Sequence, residues 1–216
     1  NILQGMVTSQ ELCDLEFNSH DFSRKSKKIF NIFKDQVNRA INLVSNVRKF
    51  SELDKSQSFL KKIDFRKIID EAYKIITNQL REKKINLHKD FSSTIFMINA
   101  DEFLLDVFKN LLYNSVKYNE NEVIEILIKS STIQKEDRRF LKLEFIDNGI
   151  GIPDFRKESI FMRGIKKAKS ISGIGLGLSL VKKILNNYNA EIYVENRVSD
   201  DYTKGSNFII LFPEVS

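Results

Sequence analysis

Six of the eight glycines lie between residues 149 and 177: a pair at 149 and 151, one at 164, and three at 173, 175 and 177. Glycine gathered in this way marks a backbone that turns sharply or comes close to a ligand. The rest of the chain has to hold those turns in place. Ahead of them, the first 60 residues carry one glycine, Gly5, and no proline. That stretch therefore reads as helix, and the glycine-rich part reads as something else.

The periodicity bears this out. Ile2, Leu3, Met6, Val7, Leu12 and Leu15 predict a helix over about 1–16, followed by a polar break at Asn18-Ser19-His20-Asp21. Ile29, Phe30, Phe33, Val37, Ala40, Ile41, Val44, Val47 and Phe50 recur at three and four, predicting a second helix over about 23–56. So long a stripe cannot be buried against a short partner alone. The expectation is an antiparallel helical hairpin that pairs with a second copy in a dimeric four-helix bundle.

Ser56–Lys62 reads as a polar linker, which sets a domain boundary near 58/59. Beyond it, helices are expected over Phe65–Lys84, Asp101–Tyr118 (with Asp101 as N-cap) and Leu176–Tyr188. Strands are expected over Ile85–Phe91, Ile95–Ile98, Val123–Lys129, Phe140–Ile146, Glu191–Glu195 and Phe208–Phe212. The fold class is α+β: the hairpin, then a two-layer α/β sandwich.

Bulk properties narrow the classes. The net charge of +6 would suit nucleic acid, but acidic residues accompany the basic ones and no five-residue run is purely basic. No nucleic-acid partner is expected, and the same excess suits a polyanion such as ATP. The single cysteine, Cys13, excludes an internal disulfide and a Cys-based zinc cluster. No apolar run reaches the roughly 18 residues of a membrane span, and no secretory leader is evident. The expectation is a cytoplasmic protein without membrane contact, an anchor in a longer parent being left open.

Three motifs carry chemistry. Asp147-Asn148-Gly149-Ile150-Gly151 ends a predicted strand. Its carboxylate can accept from an exocyclic amine while the glycines let a base lie against the backbone; an ordinary Asp-Gly turn fits equally. Gly173-Ile174-Gly175-Leu176-Gly177 opens a helix, where free N–H groups face phosphate. Its spacing and the lack of a preceding strand do not fit a dinucleotide fingerprint. On the helix Asp101–Tyr118, Asp106, Asn110, Asn114 and Lys117 share the face opposite Leu104, Val107, Phe108, Leu111, Leu112 and Ser115. Two stacked amides can offer oxygen to a hard cation, and a lysine one turn on can meet phosphate; a solvated polar face is the alternative.

Taken in order, Asn-x-x-x-Asn, Asp-x-Gly-x-Gly and Gly-x-Gly-x-Gly resemble the N, G1 and G2 boxes of the Bergerat-type ATP-binding fold. This superfamily includes histidine kinases, gyrase-type topoisomerases, mismatch-repair ATPases and heat-shock chaperone ATPases. Asn110-Leu-Leu-Tyr-Asn114-Ser-Val-Lys117-Tyr118 resembles the histidine-kinase form of the N box. Ile160-Phe161-Met-Arg163-Gly164 resembles the F-box region of a short ATP lid, and Lys204-Gly205-Ser206-Asn207-Phe208 the last glycine box. The likeness implies a sensor histidine kinase with a helical dimerisation domain over 1–58 and an ATP-binding catalytic domain over 59–216. It implies ATP and Mg²⁺ as cofactors, a homodimer, and a response-regulator receiver domain as partner. Asn114 would hold Mg²⁺, with Asn110 beside the metal and phosphates. Lys117 would reach phosphate, and Tyr118 would line the nucleotide. Asp147 would take the adenine amino group against Gly149 and Gly151. Gly173, Gly175 and Gly177 would hinge the lid, in which Arg163, Lys166, Lys167 or Lys169 touches phosphate. Ile174 departs from a common threonine, and Gly164 from a second aromatic.

One position separates reaction types within the resemblance. The hydrolysing branches keep a general-base glutamate where this chain has Asn110, an amide without usable basicity. Phosphoryl transfer to a protein group is thus expected, with a nucleotide-binding module or ATPase lacking autokinase activity as the alternative. The acceptor is expected to be a histidine. His88 reads as structural. His20 has an acidic neighbour but sits at the polar break, too close to the second helix. Asn1–Leu15 instead resembles the part of a first bundle helix that follows the acceptor, which would stand upstream of Asn1 in a domain truncated at its N-terminus.

Overall fold

The computed structural model describes residues 24–55, 60–80, 82–91, 96–135, 137–162 and 176–214. They divide between two compact units, one ending at Lys55. The first contributes α1 (Arg24–Lys55), which matches the expected second helix to within a residue at each end. Val44 and Val47 of its apolar stripe are exposed, as is Ile32 beside it in sequence. The expected helix over 1–16, and with it His20, lies outside the described residues. No described helix is long and apolar enough to cross a membrane.

The second unit contains seven strands and four helices among its described residues. In order these are β1 (Lys61–Asp64), α2 (Phe65–Gln79), β2 (Lys84–Phe91), β3 (Met97–Ala100), α3 (Leu104–Lys117), β4 (Val123–Lys135) and β5 (Arg138–Asp147). There follow α4 (Asp154–Lys157), a short 3₁₀ turn at Ser159–Phe161, α5 (Leu176–Asn187), β6 (Glu191–Val198) and β7 (Asp201–Pro213). One sheet has the order β2-β4-β5-β7-β6, with β2 parallel to β4 and the other pairs antiparallel. A separate ribbon pairs β1 with β3.

Register explains the core. Ile128 faces Phe145 across β4 and β5, and Phe145 faces Phe208 across β5 and β7, so these side chains share one side of the sheet. All three are buried. Helix α3 packs between α2 and α5 and against β4 and β5. Its stripe Leu104, Val107, Phe108, Leu111 and Leu112 is fully enclosed, and the Phe108 ring lies 5.6 Å from that of Phe145. Each such side chain contributes about 1.5–3 kcal/mol on leaving water. The core thus fixes α3 rotationally, which decides where its polar face points.

The structure corrects several expected boundaries. The linker Ser56–Lys62 runs into β1, where Lys61 and Lys62 pair with Ala100 and Asn99. The helix expected to Lys84 stops at Gln79, because the chain turns at Leu80 and the Lys83 amide donates to the Leu80 carbonyl, leading into β2. The helix expected from Asp101 begins at Leu104, with Phe103 at the cap position; the Asp101 carboxylate still accepts from the Phe103 amide at 2.9 Å. Strands β4, β5, β6 and β7 all extend beyond their expected apolar runs. Their polar ends gain ladder bonds from a hairpin partner, which residue patterning does not reveal.

Candidate functional site

Strand β5 delivers Asp147 to its last position, opposite Ile126, and there the carboxylate is buried. Burial alone is costly for a carboxylate, so it must be matched by donors. Oδ2 accepts from the Ser206 hydroxyl at 2.7 Å and the Ser115 hydroxyl at 3.3 Å. Oδ1 accepts from the Gly149 amide at 2.9 Å and the Ser206 amide at 3.3 Å. Burial pushes the Asp147 carboxyl above its ordinary range, and these bonds offset only part of that. Ser115 comes from α3 and Ser206 from β7, so one carboxylate ties helix to sheet.

Helix α3 presents the two asparagines on its half-buried face. The Asn110 amide nitrogen donates to the Asp106 carbonyl at 2.8 Å, which commits the donor end. Its oxygen points toward the start of α5: a Cβ on Gly177 would lie 2.6 Å from Asn110 Oδ1. The absence of a side chain at Gly177 therefore lets α5 begin against Asn110. At the C-terminal end of α3, Lys117 is exposed and its Nζ lies 5.1 Å from the centre of the Tyr118 ring. The Tyr118 carbonyl accepts from the Ile150 amide at 3.0 Å, so the end of α3 is joined to the turn after β5.

That turn needs its glycines. Gly151 has φ +66°, and a Cβ there would fall 1.6 Å from the Tyr202 carbonyl oxygen. At Gly149 a Cβ would stand 2.6 Å from the Tyr118 carbonyl oxygen. Phe161, from the 3₁₀ turn, is buried with its ring 6.3 Å from that of Phe208. Arg163, Lys166, Lys167, Lys169, Gly173 and Gly175 lie outside the described residues. His88 lies exposed in β2, opposite Leu127.

Of the residues singled out from sequence, the structure thus brings Asn110 to Gly177, and Asp147 to Gly149. Reading the sequence missed Ser115 and Ser206 as partners of Asp147. Ser206 directly follows the motif residue Gly205, where a hydroxyl was the available signal; Ser115 follows Asn114 but lies on the apolar side of α3 and gave none. Among the described residues no group of three His, Cys, Asp or Glu side chains could hold a metal.

A family model described as histidine kinase-, DNA gyrase B-, and HSP90-like ATPase matches residues 99–216. The chain is 28% identical over 196 residues to an uncharacterized sensor-like histidine kinase of Porphyra purpurea, covering 84% of this chain and 30% of that protein. It is 32% identical over 147 residues to the adaptive-response sensory kinase SasA of Gloeothece citriformis, covering 66% of this chain and 35% of that protein. The chain therefore spans about a third of the length of these relatives. Two solved structures share the fold. Histidine kinase ThkA in complex with response regulator protein TrrA gives a TM-score of 0.67 at 20% identity, covering 99% of this chain and 59% of that one. Full-length ShkA in complex with AMPPNP gives 0.67 at 18% identity, covering 99% and 46%. With a family model matched over more than half its length, the chain belongs to the histidine kinase-, DNA gyrase B-, and HSP90-like ATPase family, and within it is similar to sensor-type histidine kinases.

Proposed function

We propose that this chain binds Mg-ATP and donates the γ-phosphoryl group to a histidine on its helical domain, from which it passes to a response-regulator aspartate. The observation that carries the reading is Asp147: a buried carboxylate at a strand end, braced by Ser115 and Ser206 beside the glycine turn. An acceptor so placed takes the adenine amino group, with Gly149 and Gly151 giving the base room. Tyr118 lines the nucleotide, and Lys117 meets phosphate. Gly177, with Gly173 and Gly175, forms the hinge of the lid at the phosphate end. The complex of ShkA with AMPPNP and that of ThkA with TrrA support the same assignment of ligand and partner.

The donor set suits magnesium. Mg²⁺ prefers oxygen ligands and keeps several from water and phosphate, so it needs few from protein. The Asn110 oxygen is left available because its nitrogen is held by the Asp106 carbonyl. Asn114 would ligate the ion, with Asn110 adjoining it and the phosphates. Bound there, the ion would neutralise charge on the phosphate oxygens. Asn110 cannot serve as a general base, so water is not activated by this side chain and the phosphoryl group is kept for a protein acceptor.

The helical domain is assigned to 1–58 and the catalytic domain to 59–216. Exposed Val44 and Val47 in the apolar stripe of α1 support its burial in a homodimeric bundle. The test is an intact kinase carrying this sequence, incubated with γ-labelled ATP and Mg²⁺. Acid-labile label is expected in the wild type and loss of at least tenfold in Asp147→Asn or Asn114→Ala. Label that is absent from the wild type, or unaffected in both variants, would overturn the reading.

A further inference from the structure

Strand β5 stops at Asp147, but its neighbour β4 starts three residues earlier than the end of their pairing, at Val123. Something must satisfy the remaining backbone groups of β4 at this edge. The Asn148 amide nitrogen donates to the Glu125 carbonyl at 3.3 Å. The next step is taken by a side chain. Asn148 Oδ1 accepts from the Glu125 amide at 2.9 Å, and Asn148 Nδ2 donates to the Val123 carbonyl at 3.1 Å. A carboxamide carries the same donor and acceptor as a peptide group. It extends the pairing by one step while the main chain is freed to turn into Gly149 and Gly151.

The second lone pair of Asn148 Oδ1 accepts from Asn119 Nδ2 at 2.7 Å. Asn119 is buried, and it stands two residues beyond the end of α3. Its own oxygen accepts from the Asn121 amide at 3.1 Å and from Asn121 Nδ2 at 2.9 Å, and Asn121 Nδ2 also donates to the Asn148 carbonyl at 2.5 Å. The chain leaving α3 and the turn leaving β5 are therefore one hydrogen-bonded body.

We propose that Asn119 and Asn148 are positioning residues for nucleotide recognition: their amide-to-amide bond fixes the spacing between Asp147 at the base end and Asn110 and Asn114 at the phosphate end of α3. This rests on the reading that Asp147 receives the adenine amino group. Neither asparagine touches the nucleotide in this arrangement; each acts through the element it holds. A ligand gripped at two ends gains affinity only when both grips are met at once, and a hydrogen bond tolerates only a few tenths of an ångström. Loosening the joint costs the base contact first, because phosphate attraction is long-ranged and forgiving.

The signature is a change in base discrimination, which a merely structural role would not produce. ATP and ITP share ribose and triphosphate, but ITP has a 6-oxo group in place of the amine. Their affinities are to be measured by calorimetry on the full chain, with the melting temperature of each unliganded variant. Asn148→Ala and Asn119→Ala are each expected to reduce the ATP-over-ITP preference about three- to tenfold. The double variant should be no worse than the weaker single one, since both remove the same bond. Asn119→Ser keeps an acceptor for the Asn121 amide, but its shorter side chain does not reach Asn148 with its hydroxyl. It is the milder variant, carries the test if the alanines do not fold, and should show the same reduced preference. Wild-type preference in Asn119→Ser and Asn148→Ala, with loss of preference in Asp147→Asn, would overturn the positioning role and leave the nucleotide reading intact. Unchanged preference in Asp147→Asn would remove both.

Discussion

Single residues carry the tightest constraints around the site. Gly205 has φ +116°, and a Cβ there would lie 2.0 Å from the Asp147 carbonyl oxygen. A side chain would meet backbone in a conformation that L residues avoid, so Gly205→Ala is expected to cost at least about 3 kcal/mol, read from urea unfolding. Asp147 gives a prediction of opposite sign. Its folded pKa is raised, so the folded chain binds the proton more tightly than the unfolded chain and stability falls as pH rises past the unfolded value of about 3.9. Asp147→Asn should therefore gain stability relative to wild type at neutral pH. That gain should shrink as pH is lowered through the folded pKa toward about 3.9, measured by unfolding at each pH. The sequence announced Asp147 through its strand-end position and flanking glycines. It could not announce Ser115, which sits among apolar neighbours at helical spacing and reads as a small core residue until β5 brings Asp147 beneath it.

At the scale of elements, α3 and α5 run antiparallel, and α5 is held near both of its ends. One contact is Asn110 against Gly177; the other is the Tyr188 hydroxyl, which donates a short hydrogen bond to Asp101 Oδ1. Burial first, and the adjacent carboxylate second, hold the Tyr188 hydroxyl far above the usual phenol range, so it remains a donor. The same Asp101 oxygen accepts from the Phe103 amide at 2.9 Å, while Oδ2 is buried without a partner. Asp101 thus joins the turn that leads into α3 to the residue that follows α5. Tyr188→Phe should cost about 1–3 kcal/mol in urea unfolding, because it strips a donor from a buried carboxylate. Helices were the most legible elements, since a buried stripe such as Leu104-Val107-Phe108-Leu111 has its own period. Strand ends were the least legible. Thr132-Ile133-Gln134-Lys135 carries no apolar alternation, and it is strand only because Arg138–Leu141 folds back upon it.

For the whole molecule, a bound nucleotide is expected to act as a stabiliser. Mg-ATP at about one hundred times its Kd should add about 2.7 kcal/mol, or about 5–10 °C in melting temperature. In Asn114→Ala, replacing Mg²⁺ by a chelator should no longer change the shift produced by ATP, as read by thermal melting. The sheet order has a further consequence, in the timing of assembly. The β4–β5 and β6–β7 pairs are hairpins closed over short turns, with Asp137 and Asp200 in the left-handed region. The seam between β5 and β7 joins segments such as Glu144 and Asn207, 63 positions apart. Local hairpins close early, whereas a distant pairing waits on the entropy of the intervening chain. Until that seam forms, the edges of β5 and β7 are bare and apolar, the state in which a chain is most exposed to association with its neighbours. Asp147 belongs to one side of the seam and Ser206 to the other. The surroundings of Asp147 are therefore completed by the most distant of these sheet pairings, and a ligand that binds there can stabilise a newly made chain only after the most hazardous step of folding is over.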